Sequence, residues 1–113
     1  MPITDIIDIQ VEAYNRGDTA AFVATYADDA ICSRIPSGVV MAAGRAQIAD
    51  VWGAMFVRSP RTCVVRNRMV QDDFVIDHER VTLHATGTVI DALAIYRVHD
   101  GLIAQVWFPD VAA

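Results

Sequence analysis

The stretch of residues 62–108, TCVVRNRMVQDDFVIDHERVTLHATGTVIDALAIYRVHDGLIAQVWF, decides the fold. Apolar and polar residues alternate through four runs, residues 62–70, 74–84, 89–98 and 102–108, with the period of two that half-buried strands carry. Asp72-Asp73 separates the first two as a tight turn. His99-Asp100-Gly101 separates the last two and contains the Asp-Gly pair that hairpins favour. The link over residues 84–88, with Gly87, is looser. Strands joined in this way lie side by side in an antiparallel sheet.

Upstream of Pro60 the period is helical. Ile3, Ile6, Ile7, Val11 and Tyr14 form one stripe of a helix over residues 3–16, with Asp5 and Asp8 at its positive end. Gly17 is placed to cap it in the left-handed conformation, and Asp18 to N-cap a second helix over residues 19–26 that buries Phe22, Val23 and Tyr26. Asp28-Asp29 reads as a turn. Residues 30–35 alternate, with Cys32 and Arg34 on one face and Ile31, Ser33 and Ile35 on the other. After the turn at Pro36-Ser37-Gly38 come a short strand at 39–41 and a third helix over 45–57, striped by Ile48, Val51, Trp52, Met55 and Phe56. Ser59-Pro60 stops it. Helices mostly first and hairpin-linked strands last give an α+β fold, an antiparallel sheet with helices on one face.

Composition narrows the function classes. The chain has 113 residues, 54% of them hydrophobic, and a formal charge of -5. That predicts one domain over residues 1–113, with apolar surface to spare for a pocket or an oligomer interface. The acidic balance lacks the cationic footprint that phosphate backbones require, so no nucleic-acid partner is expected. No apolar run is long enough to cross a membrane, and Asp5 and Asp8 break up any signal-peptide pattern. Two cysteines, Cys32 and Cys63, make no disulfide framework and read as a reduced pair in a cytoplasmic protein. Cys32, Cys63, His78, His84 and His99 show no paired metal-binding spacing, so no metal is expected, and no cofactor either. All nine basic residues are Arg, which excludes Schiff-base chemistry.

Several strings have a familiar form: Ala13-Tyr14-Asn15-Arg16-Gly17-Asp18, then Tyr26-Ala27-Asp28-Asp29-Ala30, then Gly44 before the helix holding Trp52. The closing strings are Tyr96-Arg97-Val98 and Asp100-Gly101-Leu102-Ile103, followed by Val106-Trp107-Phe108. Together they resemble the nuclear transport factor 2-like superfamily, in its bacterial SnoaL-like and ketosteroid isomerase-like branch. The resemblance implies a curved, mostly antiparallel sheet wrapped around three N-terminal helices, a cone with an apolar pocket. It also implies a homodimer built through the outer sheet face, where Trp107 would sit.

Carried over residue by residue, the isomerase branch's carboxylate base falls on Arg34, its tyrosine donor on Gln10 and its protonated acid on Ala94. An Arg cannot abstract a proton at neutral pH, so that chemistry is broken here. The epoxide hydrolase branch's arginine matches Arg80, but its two aspartates fall on Thr82 and Phe108. The polyketide cyclase branch's acid/base aspartate falls near Asp110.

The Arg80 match turns Phe74, Ile76, His78, Arg80, Thr82 and His84 toward the pocket. Ala92, Ala94, Tyr96 and Val98 join them from the next strand, and Ala104, Val106, Phe108 and Asp110 from the last. His78 and Asp110 are then the expected acid/base pair, a histidine oriented by a carboxylate. Arg34 and Arg80 are expected to clamp an anion or enolate, with Tyr14, Trp52, Tyr96 and Phe108 as further ligand contacts. Plain packing is the commoner role of such aromatics. The expected function is proton transfer on a small apolar carbonyl compound, in the manner of an isomerase, cyclase or lyase. The alternatives are a non-catalytic binder of an apolar ligand, or a dimeric interaction module whose pocket is filled by aromatic side chains.

Overall fold

The computed structural model describes residues 2–111. Its elements run α1 (Thr4–Arg16), α2 (Thr19–Val23), β1 (Tyr26–Ile35), β2 (Val40–Ala43), α3 (Arg45–Arg58), β3 (Arg61–Gln71), β4 (Phe74–Leu83), β5 (Val89–His99) and β6 (Leu102–Pro109). The six strands form one open sheet in the order β2-β1-β6-β5-β4-β3, antiparallel throughout except for the parallel β1–β6 pair. The helices pack against one face of it. This is the expected α+β arrangement.

Local chemistry sets the helix ends. Gly17 closes α1 at φ 66°, a conformation a side chain resists, and its N–H reaches the Ala13 and Tyr14 carbonyls. The Asp18 carboxylate accepts from the Ala21 N–H at 3.1 Å and starts α2. That helix is shorter than its apolar pattern suggests. Tyr26 already belongs to β1, and Asp28-Asp29 lie inside the strand instead of forming a turn. There the β1–β6 register shifts between Tyr26 and Ile31, so the two carboxylates sit in an irregular segment that stays at the surface.

The core lies between the sheet and the helices. Ile7, Phe22, Tyr26, Ile48, Val75, Ile103 and Val106 are fully buried. Phe22 is its hub, packed on Tyr26 (centroids 5.2 Å apart), Phe56 (5.4 Å) and Trp52 (5.8 Å). Each such pair adds about 1 kcal/mol beyond simple burial.

Strand β4 corrects the expected parity. Val75, Asp77, Glu79 and Val81 are buried against the helices, whereas Phe74, His78 and Arg80 are exposed on the other face. The reason is visible in the β3–β4 hairpin. Asp77 lies directly opposite Arg68, and the pair is completed by two hydrogen bonds, Arg68 Nε to Asp77 Oδ1 at 2.7 Å and Arg68 Nη2 to Oδ2 at 3.0 Å. Arg68 Nη1 also reaches Asp8 on α1 at 2.7 Å. The buried carboxylate therefore has a bidentate partner that ties the first helix to the sheet.

Candidate functional site

A cavity of about 230 Å³ opens between the helices and the inner sheet face. α1 supplies Gln10, Val11 and Tyr14, and α3 supplies Val51, Trp52 and Met55. The sheet supplies Arg34 and Met41 on one side, Phe108, Ala92, Ile90 and Tyr96 in the middle, and Val81, Glu79, Cys63 and Arg61 on the other. The wall is mostly apolar, with a few polar groups converging on it, as in small-molecule sites.

Glu79 is the chemical centre. Its side chain is inward on β4 and the residue is 8% exposed. The Tyr96 hydroxyl, itself buried, donates to its Oε2 at a long 3.5 Å. The ion pairs among the described residues do not include it. Burial pushes the carboxyl up from its ordinary 4.5 to about 7, and the negative Asp77 two residues along the same face adds to the rise. Hydrogen bonds from Cys63 and Tyr96 and the charge of Arg68 pull back only in part. A carboxyl poised near neutrality can hold or release a proton at physiological pH.

Two tyrosines flank it. Burial pushes Tyr14 up to about 12 against the opposing pull of Arg61. It pushes Tyr96 well above 10, with Glu79 adding to the effect. Both therefore stay protonated and can donate a hydrogen bond. Gln10 lines the same cavity and donates from Nε2 to the Tyr26 hydroxyl at 3.2 Å, fixing the floor.

Five of the eight expected site residues meet at this cavity: Tyr14, Arg34, Trp52, Tyr96 and Phe108. The other three do not. His78 and Arg80 share the outward parity of β4, and Arg80 lies beside Asp91 at 3.8 Å on that outer face. Asp110 is exposed and turned onto the Pro36–Gly38 bend, accepting from the Ser37 N–H at 3.0 Å and from the Ser37 hydroxyl. The His78–Asp110 acid/base pair is therefore not assembled, and Arg80 does not clamp a ligand in the cavity. His78 and Arg80 leave the site together because both lie on the outward face of β4. Glu79 and Arg61 line the cavity without a sequence expectation pointing to them, and Gln10, where the isomerase branch's tyrosine donor falls, lines it too. For Glu79 the signal was available: with Asp72-Asp73 as the turn, Arg68 faces Asp77, and the parity of Asp77 is that of Glu79.

Cys32, on the same face of β1 as Arg34, is fully buried in the core, where burial pushes its thiol up to about 12. Trp52 and Phe108, with ring centroids 6.3 Å apart, line the cavity without filling it. Among the described residues no helix is long and apolar enough to cross a membrane.

Residues 9–106 match the family model of the SnoaL-like domain. No curated protein matches the sequence. Among solved structures, a cystatin-fold protein from Novosphingobium aromaticivorans superposes with a TM-score of 0.84 at 22% identity, covering 96% of this chain and 97% of its own. A candidate polyketide cyclase from Sinorhizobium meliloti gives 0.80 at 22% identity, over 96% and 94%. A computationally designed binder of 17-OHP gives 0.82 at 16% identity, over 95% and 88%. At these identities the likeness is one of fold.

Proposed function

The chain belongs to the SnoaL-like domain family, within the nuclear transport factor 2-like superfamily, and from that premise we propose that it moves a proton on a small apolar carbonyl compound, with Glu79 as the acid/base. The observation that carries this reading is a buried carboxyl, in no ion pair among the described residues, on the wall of an apolar cavity. As carboxylate, Glu79 takes a proton from the carbon next to the carbonyl. The electron pair moves onto the carbonyl oxygen, which becomes an enolate. The Tyr14 hydroxyl, with the Arg61 cation behind it, faces that oxygen and stabilises the charge. Glu79 then returns its proton to the same or a neighbouring carbon. At about 230 Å³ the cavity lies below the common range for ligand pockets, about 300–1,000 Å³, and so suits one or two rings.

The test is deuterium exchange at the α-carbon of 2-tetralone in D2O, followed by proton NMR. The expected result is exchange above the buffer rate, lost by roughly 100-fold or more in Glu79→Gln. Exchange unaffected by that substitution overturns the assignment. A bound ketone that never exchanges supports the second reading, a non-catalytic binder, which draws on Gln10, Arg34 and Ala94 standing where the isomerase branch keeps its catalytic groups.

In the same reading a second copy of the chain covers the outer sheet face. Phe74 stacks on Trp107 there at 6.2 Å, and the Ile76–Ile95 and Ile95–Trp107 pairs extend the apolar surface across three strands. A two-fold dimer places such a patch against itself.

A further inference from the structure

We infer that the ligand of this cavity is an amphipathic anion, an apolar ring body whose remote carboxylate is received by Arg34 on the wall opposite Glu79. The inference rests on the Glu79 reading and adds the chemistry of the substrate's other end. Arg34 shares the inward parity of buried Ala30 and Cys32 on β1 and lines the cavity. Between β1 and β4 lie β6 and β5. Three strand spacings of about 4.8 Å put the two backbones roughly 14 Å apart along the sheet. Arg34 is therefore remote from an enolate oxygen formed beside Glu79, and serves as a terminal anchor instead of an oxyanion holder. What lies between them is apolar: Phe108, the direct β-partner of Arg34, and the small Ala92, the direct partner of Glu79, with Trp52 across the slot. A flat ring fits over the alanine.

The arginine is also free to bind. Among the described residues its guanidinium makes one hydrogen bond, from Nη1 to the Pro109 carbonyl at 3.0 Å, and a guanidinium carries five N–H donors. Asp110, the next residue, is held by Ser37 and forms no ion pair with it. Among the ion pairs of the described residues Arg34 does not figure. Arg61, the other cation on the wall, stands on the Glu79 side, where its charge acts on Tyr14. A half-buried cation facing an apolar slot in an acidic protein is a recognition group for a planar anion, which its fork binds with two parallel bonds.

The test is calorimetric titration with 2-naphthoate and with 2-naphthamide, its neutral analogue, at a pH of about 6. The expected result is a preference for the carboxylate of about tenfold or more, collapsing to under about twofold in Arg34→Gln and surviving in Arg61→Gln. Arg34→Met repeats the measurement should Arg34→Gln lose its cooperative melt. Equal binding of the two probes by the unaltered protein, or a preference that follows Arg61, overturns the inference. Glu79→Gln separates the two readings, because it is expected to keep the carboxylate preference while losing ketone exchange.

Discussion

Replacing Glu79 by Gln is expected to stabilise the protein, and only above a certain pH. A carboxyl raised on folding from 4.5 to about 7 binds a proton more tightly in the native chain than in the unfolded one. Between those two values the native state holds the extra proton, so stability falls as pH rises through that window and levels off above about 7. At about 1.4 kcal/mol per pH unit, the full penalty is about 3 kcal/mol. Gln mimics the protonated form in shape and carries no charge to desolvate. Urea unfolding of the two proteins should therefore nearly coincide at pH about 4.5, and should separate by about 3 kcal/mol, roughly 10 °C in melting temperature, at pH about 8. The remaining titrating groups are common to both proteins and drop out of the difference. Two stability curves running parallel from acid to alkaline pH would refute the reasoning, because Glu79 would then be as well solvated folded as unfolded.

Arg68 is expected to behave in the opposite way. Arg68→Ala leaves Asp77 fully buried without its bidentate partner and should cost about 3–5 kcal/mol by urea unfolding, while Arg68→Met combined with Asp77→Leu should restore much of the loss. Ala92→Leu places a larger side chain in the slot between Glu79 and Arg34; calorimetry should record the loss of 2-naphthoate binding by about tenfold or more, with less than about 1.5 kcal/mol change in stability, since the space it enters is empty. Phe74→Arg puts a charge into the stacked pair on the outer sheet face, and sedimentation should report monomers where the unaltered protein sediments as a dimer.

The elements of this fold were legible because each carries its own signal. The Asp-Gly turn between β5 and β6, the Gly17 cap and the Asp18 N-cap are local chemistry, and local chemistry survives folding unchanged. Asp28-Asp29 has the composition of a turn, and only the partner strand β6 reveals that β1 runs on through it in an irregular pairing. The site was legible where parity was unambiguous. On β5, Ala94 and Tyr96 could face only inward, and on β1 Arg34 follows Cys32. It was illegible on β4 because both parities there mix apolar and charged residues: Phe74 and Ile76 with His78 and Arg80 on one list, Val75 and Val81 with Asp77 and Glu79 on the other. Hydropathy cannot choose between such lists, and a slip of one residue exchanges every inward side chain for an outward one. The resemblance of Arg80 to a family arginine points to the first list, and the structure buries the second. The Arg68–Asp77 pairing across the Asp72-Asp73 turn carries the physical reason for the other choice, since a buried carboxylate needs its cation within reach.

The central claim is that Glu79 exchanges protons with a ligand in the cavity, and the pH profile of 2-tetralone exchange tests it most directly. With the buffer rate subtracted, the account predicts exchange that rises as Glu79 deprotonates, with a midpoint near 7, levels off above it, and is absent from Glu79→Gln. A midpoint at the ordinary carboxylate value, or a profile that the substitution leaves in place, would contradict it.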